Sequence, residues 1–209
     1  MDGVLVLDKP AGPTSHDLVE RVRRALGAKR VGHTGTLDPF ATGVLPLCIG
    51  KATRLARFLG TGDKEYRATV RLGFATSTDD LSGEPLSEPH AGLPTREDVA
   101  REMAGFVGSF EQLPPVFSAK HVGGRRLHEL ARSGVAVPRS AALVTVHAIQ
   151  LVDYTGDRLE LLVRCSPGTY VRSLARDLGE RRGGCGHLTA LRRTRSGAFD
   201  LTAAVSADD

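Results

Sequence analysis

The chain has 209 residues, of which 41% are hydrophobic and 25% charged, a mix with enough apolar material for a core and too much for intrinsic disorder. Its formal net charge is +4, and the three cysteines (Cys48, Cys165, Cys185) lie far apart with no Cys-x-x-Cys pair, which argues against a disulfide framework and against a zinc knuckle. No stretch approaches the ~20 apolar residues of a membrane span, and the N-terminus lacks the basic region of a signal peptide, so a cytoplasmic protein is expected.

In chain order, Val4 to Leu7 is a short apolar run that predicts a buried strand, ended by Asp8-Lys9-Pro10. Thr14 and Asp17 have capping-box spacing, and Leu18, Val19, Val22 and Leu26 then recur at helical intervals up to Gly27. A glycine-rich loop spans Val31 to Gly43, followed by an apolar run, Leu45 to Ile49, and a predicted helix over Lys51 to Leu59. Tyr66, Ala68, Val70 and Leu72 alternate with polar neighbours, the period of a half-buried strand. The acidic segment Ser77 to Pro94 is expected to be loop, and Arg96 to Phe106 a helix. After the Pro114-Pro115 break, Gly123-Gly124 suits a tight turn leading into a short basic helix that ends near Gly134. Two strands are expected over Leu143 to Leu151 and Arg158 to Cys165, then a turn at Ser166-Pro167-Gly168 and a helix ending at Gly179. Strands and helices mix without a repeat, which predicts an α+β domain around a largely antiparallel sheet.

Charge is unevenly spread. Thr76 to Glu102 is acidic, whereas Lys120 to Arg139 and Tyr170 to Arg195 are basic. Clustered arginines are the footprint of a polyanion-binding face, although an unevenly solvated surface gives the same pattern.

The densest cluster of polar groups is Gly32-His33-Thr34-Gly35-Thr36-Leu37-Asp38-Pro39-Phe40-Ala41-Thr42-Gly43. Its glycines allow sharp turns or close approach, and His33 with two threonines crowds a single carboxylate, Asp38. Residue types alone leave two readings open: a reactive carboxylate, or an Asp-Pro turn whose side chain bonds its own backbone. Look-alikes fail. A phosphate loop over Gly43 to Ala52 needs Gly at the position of Leu45 and Ser or Thr at that of Ala52. There is no GxSxG elbow and no HExxH, and a glycosidase would need a second carboxylate where the loop offers one.

That loop, GHTGTLDPFATGVLP, resembles the signature loop of the TruB family of tRNA pseudouridine synthases, in which the aspartate is catalytic. The resemblance runs along nearly the whole chain: LVLDKPAGPTSHDLV, KEYRATVRLG, LPPVFSA with RRLHELARSG, CSPGTYVRSLARDLGE and HLTALRRTRSGAF follow in family order. It implies a pseudouridine synthase fold, a mixed, mostly antiparallel central sheet flanked by helices and loops, with the active-site cleft across the sheet. It also implies a reaction without cofactor or metal, the conversion of uridine 55 in the T-loop of tRNA to pseudouridine after base flipping. Asp38 is the implied nucleophile, Arg172 the guanidinium that keeps it ionised, and Tyr66 the ring that stacks on the target base and sits close enough to move a proton. Read without the family, Arg172 is a phosphate contact on a helix surface and Tyr66 a strand residue half-buried in the sheet. His33, Tyr170 and Leu191 correspond to residues that contact the flipped nucleotide or wall its pocket, and Lys9 with Pro10 to support of the catalytic loop. Residues 114–140 match a basic insertion that closes over the T-arm, with Arg125, Arg126 and Arg132 as phosphate contacts. In that insertion the chain departs from the pattern, with Lys120-His121 where an apolar-Lys pair is commoner and His128 at a usual aromatic. The chain stops before the PUA-type RNA-binding domain common in bacterial relatives, so residues 1–209 are expected to form one catalytic domain. The expected partner is tRNA, bound by a monomer without guide RNA. The rival expectation is a non-catalytic or dual-role RNA-folding chaperone on the same fold.

Overall fold

A computed structural model describes residues 1–86, 88, 92–117, 121–122, 125–126, 139–181 and 184–207. The chain divides into two compact units, one of Met1–Arg67, Val163–Pro167 and Ala190–Asp209, the other of Ala68–Leu162 and Gly168–Thr189.

In the first unit, β1 (Gly3–Lys9) runs antiparallel to β3 (Thr42–Ile49) along its full length, from Gly3 opposite Ile49 to Lys9 opposite Gly43. From Val44 to Ile49 every residue of β3 is buried, the continuous apolar reading of a central strand. Its second edge is shared. β10 (Gly186–Ser196) lies parallel to it at Thr42 and Gly43, and the short β2 (Val31–His33) lies antiparallel at Leu47 to Ile49. The glycine-rich loop is therefore the connection from β2 to β3, beginning and ending on one edge of one strand. β12 (Val205–Ser206) pairs in parallel with β1, and β11 (Phe199–Asp200) folds back on β10. Helix α1 (Ser15–Ala25) opens with the expected capping box between Thr14 and Asp17 and buries Leu18, Val19 and Val22. Leu26, expected on that apolar face, is the C-cap and is exposed.

The expected helix over Lys51 to Leu59 is a 3-10 segment, Gly50–Leu55, followed by a single α-turn, α2 (Ala56–Leu59). None of these residues is buried, so no packed apolar stripe favours one continuous helix.

The second unit holds the strand order β10, β4 (Lys64–Leu72), β9 (Arg158–Cys165), β8 (Ala142–Thr155) and β5 (Gly108–Gln112). Strands β4, β9 and β10 contribute residues to both units. The alternation read in β4 holds: Lys64, Tyr66, Ala68, Val70 and Leu72 are the buried positions. So does that of β9, through Leu159, Leu161, Val163 and Cys165. Helix α3 (Arg96–Ala104) has its own Thr95–Asp98 capping box, and α4 (Val171–Glu180) buries Val171, Leu174, Ala175 and Leu178. His121–Val122 (β6) and Arg125–Arg126 (β7) pair antiparallel, and the tight turn expected at Gly123-Gly124 lies outside the described residues. The basic helix expected before Gly134 lies outside the described residues. The sheet is mixed and mostly antiparallel, the expected α+β architecture.

Candidate active site

Asp38 sits half-buried at the tip of the β2–β3 connection, and side chains from three elements tie down the backbone on both sides of it. Ahead of it, Arg193 on β10 donates to the carbonyls of Gly35 (3.1 Å) and Thr36 (3.4 Å) through its two Nη atoms, and to that of Val44 (2.8 Å) through Nε. Ser15, at the start of α1, accepts the Leu37 N–H at 2.9 Å and donates to the Leu37 carbonyl at 3.1 Å. Behind Asp38, the Lys9 ammonium donates to the carbonyls of Pro10 (2.9 Å), Pro39 (3.1 Å) and Ala41 (2.8 Å), and Pro39 also accepts from the Gly12 N–H at 2.8 Å. The Asp38 carbonyl closes a turn with the Ala41 N–H at 3.1 Å. The carboxylate that the sequence placed in a crowded loop thus sits in a backbone fixed residue by residue, the condition for a preorganised reactive group.

The same region is rich in buried cations. Lys9 is fully buried, and desolvation lowers its pKa to about 8 against the opposing pull of the Asp38 charge. Lys64 is also buried, donates to the carbonyls of Gly60 (3.1 Å) and Gly62 (2.5 Å), and has its pKa lowered by desolvation and then by Arg193. Tyr66 is buried on β4. Burial pushes its phenol pKa up, the charge of Arg193 pulls the other way, and the Asp38 charge adds a smaller upward push. Asp38, Tyr66, Lys9 and Arg193 therefore form one electrostatically coupled group within the first unit. His33 ends β2 opposite Leu47, Leu191 is buried on β10, and the Thr34 hydroxyl is buried with no partner among the described residues.

Beside this group, Arg192 forks onto Asp8 at 3.0 and 2.6 Å. Arg192 and Arg193 are neighbours in sequence but point to opposite faces of β10, one half-exposed and one buried.

In the second unit Arg172 projects from the first turn of α4, 5% exposed, and forms an ion pair with Asp80 at 3.3 Å. It also donates to the carbonyls of Thr78 (3.1 Å) and Phe117 (2.9 Å). Asp80 is held in turn by the Thr78 hydroxyl (2.7 Å), the Ser82 N–H (2.9 Å) and the Ser82 hydroxyl. Arg172 is thus a buried residue with a carboxylate partner and not a helix-surface cation. Tyr170 is the N-cap of α4, its backbone N–H donating to the Gln112 side-chain carbonyl (2.8 Å) and its C=O accepting from the Gln112 amide (3.1 Å). Arg125 and Arg126 are described only as β7 backbone, and Arg132 lies outside the described residues.

Sequence reasoning assigned no role to Arg193, Lys64, Ser15 or Asp80. Arg193 and Lys64 stood inside motifs already singled out, but nothing in a local pattern distinguishes a buried arginine from a solvated one. Asp80 sat in the acidic segment expected to be loop, where one carboxylate looks like any other. Among the described residues no group of three or more His, Cys, Asp or Glu could hold a metal ion.

Known proteins are similar to this chain in sequence and in fold. Residues 23–171 match the TruB family pseudouridylate synthase (N terminal domain), and residues 172–209 match the tRNA pseudouridylate synthase B C-terminal domain. The chain is 52% identical to tRNA pseudouridine synthase B of Symbiobacterium thermophilum, with all of this chain and 71% of that protein covered. It is 50% identical to the protein of that name from Gloeobacter violaceus, with 98% and 71% covered. Among solved structures, it matches a chain of a Cbf5-Nop10-Gar1 complex with a TM-score of 0.78 at 32% identity, over 99% of this chain and 53% of that one. The chain thus spans about half the length of that solved chain. With both family models in sequence order and the Asp38 loop intact between its clamps, the chain belongs to the TruB family of pseudouridylate synthases.

Proposed function

We propose that this chain converts a uridine of tRNA to pseudouridine, that the target is uridine 55 in the T-loop, and that Asp38 is the nucleophile. The observation that carries the reading is the immobilised Asp38 loop with Tyr66 electrostatically coupled to it in the same unit. The reaction breaks the N1–C1′ bond of the uridine, turns the base and joins C5 to C1′, with the C5 hydrogen lost to water and N1 reprotonated. A carboxylate suits the transient covalent bond this requires, donating an electron pair and recovering it when the bond breaks, with no net change of oxidation state.

Around Asp38 the other residues take distinct parts. Tyr66 stacks on the everted base and moves a proton, and Arg172 supplies the guanidinium that favours the ionised carboxylate. His33, Tyr170 and Leu191 contact the flipped nucleotide, and Lys9 supports the loop. Arg125, Arg126 and Arg132, in the insertion over residues 114–140, neutralise T-arm phosphates. The relatives named tRNA pseudouridine synthase B support tRNA as substrate. The chain acts in the cytoplasm as a monomer and without guide RNA, although a structural neighbour belongs to an H/ACA RNP bound to a substrate RNA. Among the described residues, no helix is long and apolar enough to cross a membrane.

The test is tritium release from unmodified tRNA labelled at uracil C5. Wild-type protein is expected to release tritium to water, and Asp38→Asn to bind tRNA without releasing it. Tight binding by the wild type with no release would replace the enzyme by an RNA-folding chaperone. Chemical mapping of the product at a uridine other than 55 would overturn the assigned position.

A further inference from the structure

Arg193 is the largest fully buried side chain among the described residues, 1% exposed. A buried guanidinium ordinarily meets a carboxylate, because desolvating an unpaired charge is costly. Arg193 meets none among the described residues. Its hydrogen-bond partners are the carbonyls of Gly35, Thr36 and Val44, and its charge acts on the phenol of Tyr66. A residue that served packing alone would be an aliphatic chain of similar volume.

The backbone is shaped to admit this side chain. Arg193 pairs with Gly43 where β10 meets β3, and a Cβ on Gly43 would lie 2.2 Å from the Arg193 carbonyl oxygen. From that point the side chain crosses the stretch of the β3 edge, residues 44–46, that neither β10 nor β2 covers, taking the Val44 carbonyl on the way. Its far end reaches the two residues that precede Leu37 and Asp38.

We propose that Arg193 is a positioning residue for the reaction, one planar fork that locks the Asp38 loop into a single geometry and sets its guanidinium charge against the Tyr66 hydroxyl. The proposal deepens the pseudouridine synthase reading and rests on it. Lysine cannot take over this role, because an ammonium is a point donor that cannot span Nε and both Nη directions at once.

Tritium release separates the two levels. A wild-type protein that releases none overturns the synthase reading and this proposal together. With an active wild type, Arg193→Lys is expected to lower the single-turnover rate roughly 100-fold, as misplacement of reacting groups by about 1 Å does. Its Kd for unmodified tRNA is expected to stay within about twofold of wild type, since the interaction contributes after binding. In a Tyr66→Phe background the same substitution is expected to cost at most about 10-fold, because the two residues act as a unit. A wild-type rate in Arg193→Lys, equal losses in binding and rate, or full additivity with Tyr66→Phe each overturns the proposal and leaves the synthase reading standing. Should Arg193→Lys fail to fold, side-chain NMR of wild type and Tyr66→Phe labelled with 15N-arginine decides instead. Loss of the Tyr66 hydroxyl is expected to shift the resonances of a solvent-protected guanidinium, and unmoved resonances overturn the proposal.

Discussion

Lys9 shows how a charged side chain can be part of a core. It is fully buried, its three donors are all taken by carbonyls, and its pKa is lowered to about 8 by desolvation despite the attraction of Asp38. The depressed value has a consequence for stability. Between pH 8 and the ordinary lysine value of 10.5, the unfolded chain binds a proton that the folded chain has released, so this residue makes stability rise with pH across that window. Below pH 8 both states carry the proton and the full burial penalty, on the order of 3 kcal/mol, applies. Urea unfolding at pH 8 and pH 10 is expected to show this gain in wild type relative to Lys9→Met, which lacks the titrating group. Equal pH dependence in the two proteins would refute it. The identity of Asp38 was legible at this scale because glycines, threonines and a histidine around a lone carboxylate make an unusual string. Arg193 and Asp80 were not, because burial and partner choice belong to residues distant in sequence: Arg193 reaches Gly35 across 158 positions and Arg172 reaches Asp80 across 92.

Strand β10 is the longest element that sequence reasoning did not find. Its stretch Leu191-Arg192-Arg193-Thr194-Arg195 looks solvated on both faces, and the usual signal, apolar side chains at every second position, is broken where Arg193 takes an inward place. Carbonyl acceptors make that inward arginine tolerable, and they come from the loop and from β3, which the local sequence does not reveal. By contrast β4, β9, α1 and α3 were legible because alternation and capping boxes are written within a few residues. The fit of β10 against β3 depends on Gly43, which has φ +102° and no space for a Cβ beside the Arg193 backbone. Gly43→Ala is expected to cost at least about 3 kcal/mol, combining a disallowed backbone angle with steric overlap of two strands. A shift of less than about 1 kcal/mol in denaturant unfolding, a size typical of a surface change, would show that the strands separate without penalty.

For the molecule as a whole, the net charge of +4 conveys little, but its distribution carries a prediction. Arg125 and Arg126 lie together on a two-stranded ribbon in the basic stretch. If they neutralise RNA phosphates, each released counterion adds about 0.7 to 0.9 to the slope of log Kd against log salt. Arg125→Glu with Arg126→Glu is expected to weaken tRNA binding and flatten that slope by roughly 1.5, measured by filter binding across a salt series. An unchanged slope would remove this ribbon from the RNA interface. The α+β class and the family were legible at this scale from motif order. The division into two compact units was not, because each is assembled from separated stretches of chain.

The carbonyl grips on residues 35–41 come from the protein's own side chains and backbone. The conformational entropy of this segment is therefore surrendered during folding, well before any nucleic acid arrives. An incoming strand has to bring only its own everted nucleoside, and its affinity is not spent on disciplining a floppy loop. Sequence drift at Lys9 or Ser15 would shift that ordering cost onto the encounter itself, and tRNA would bind more weakly and react more slowly to an intact Asp38.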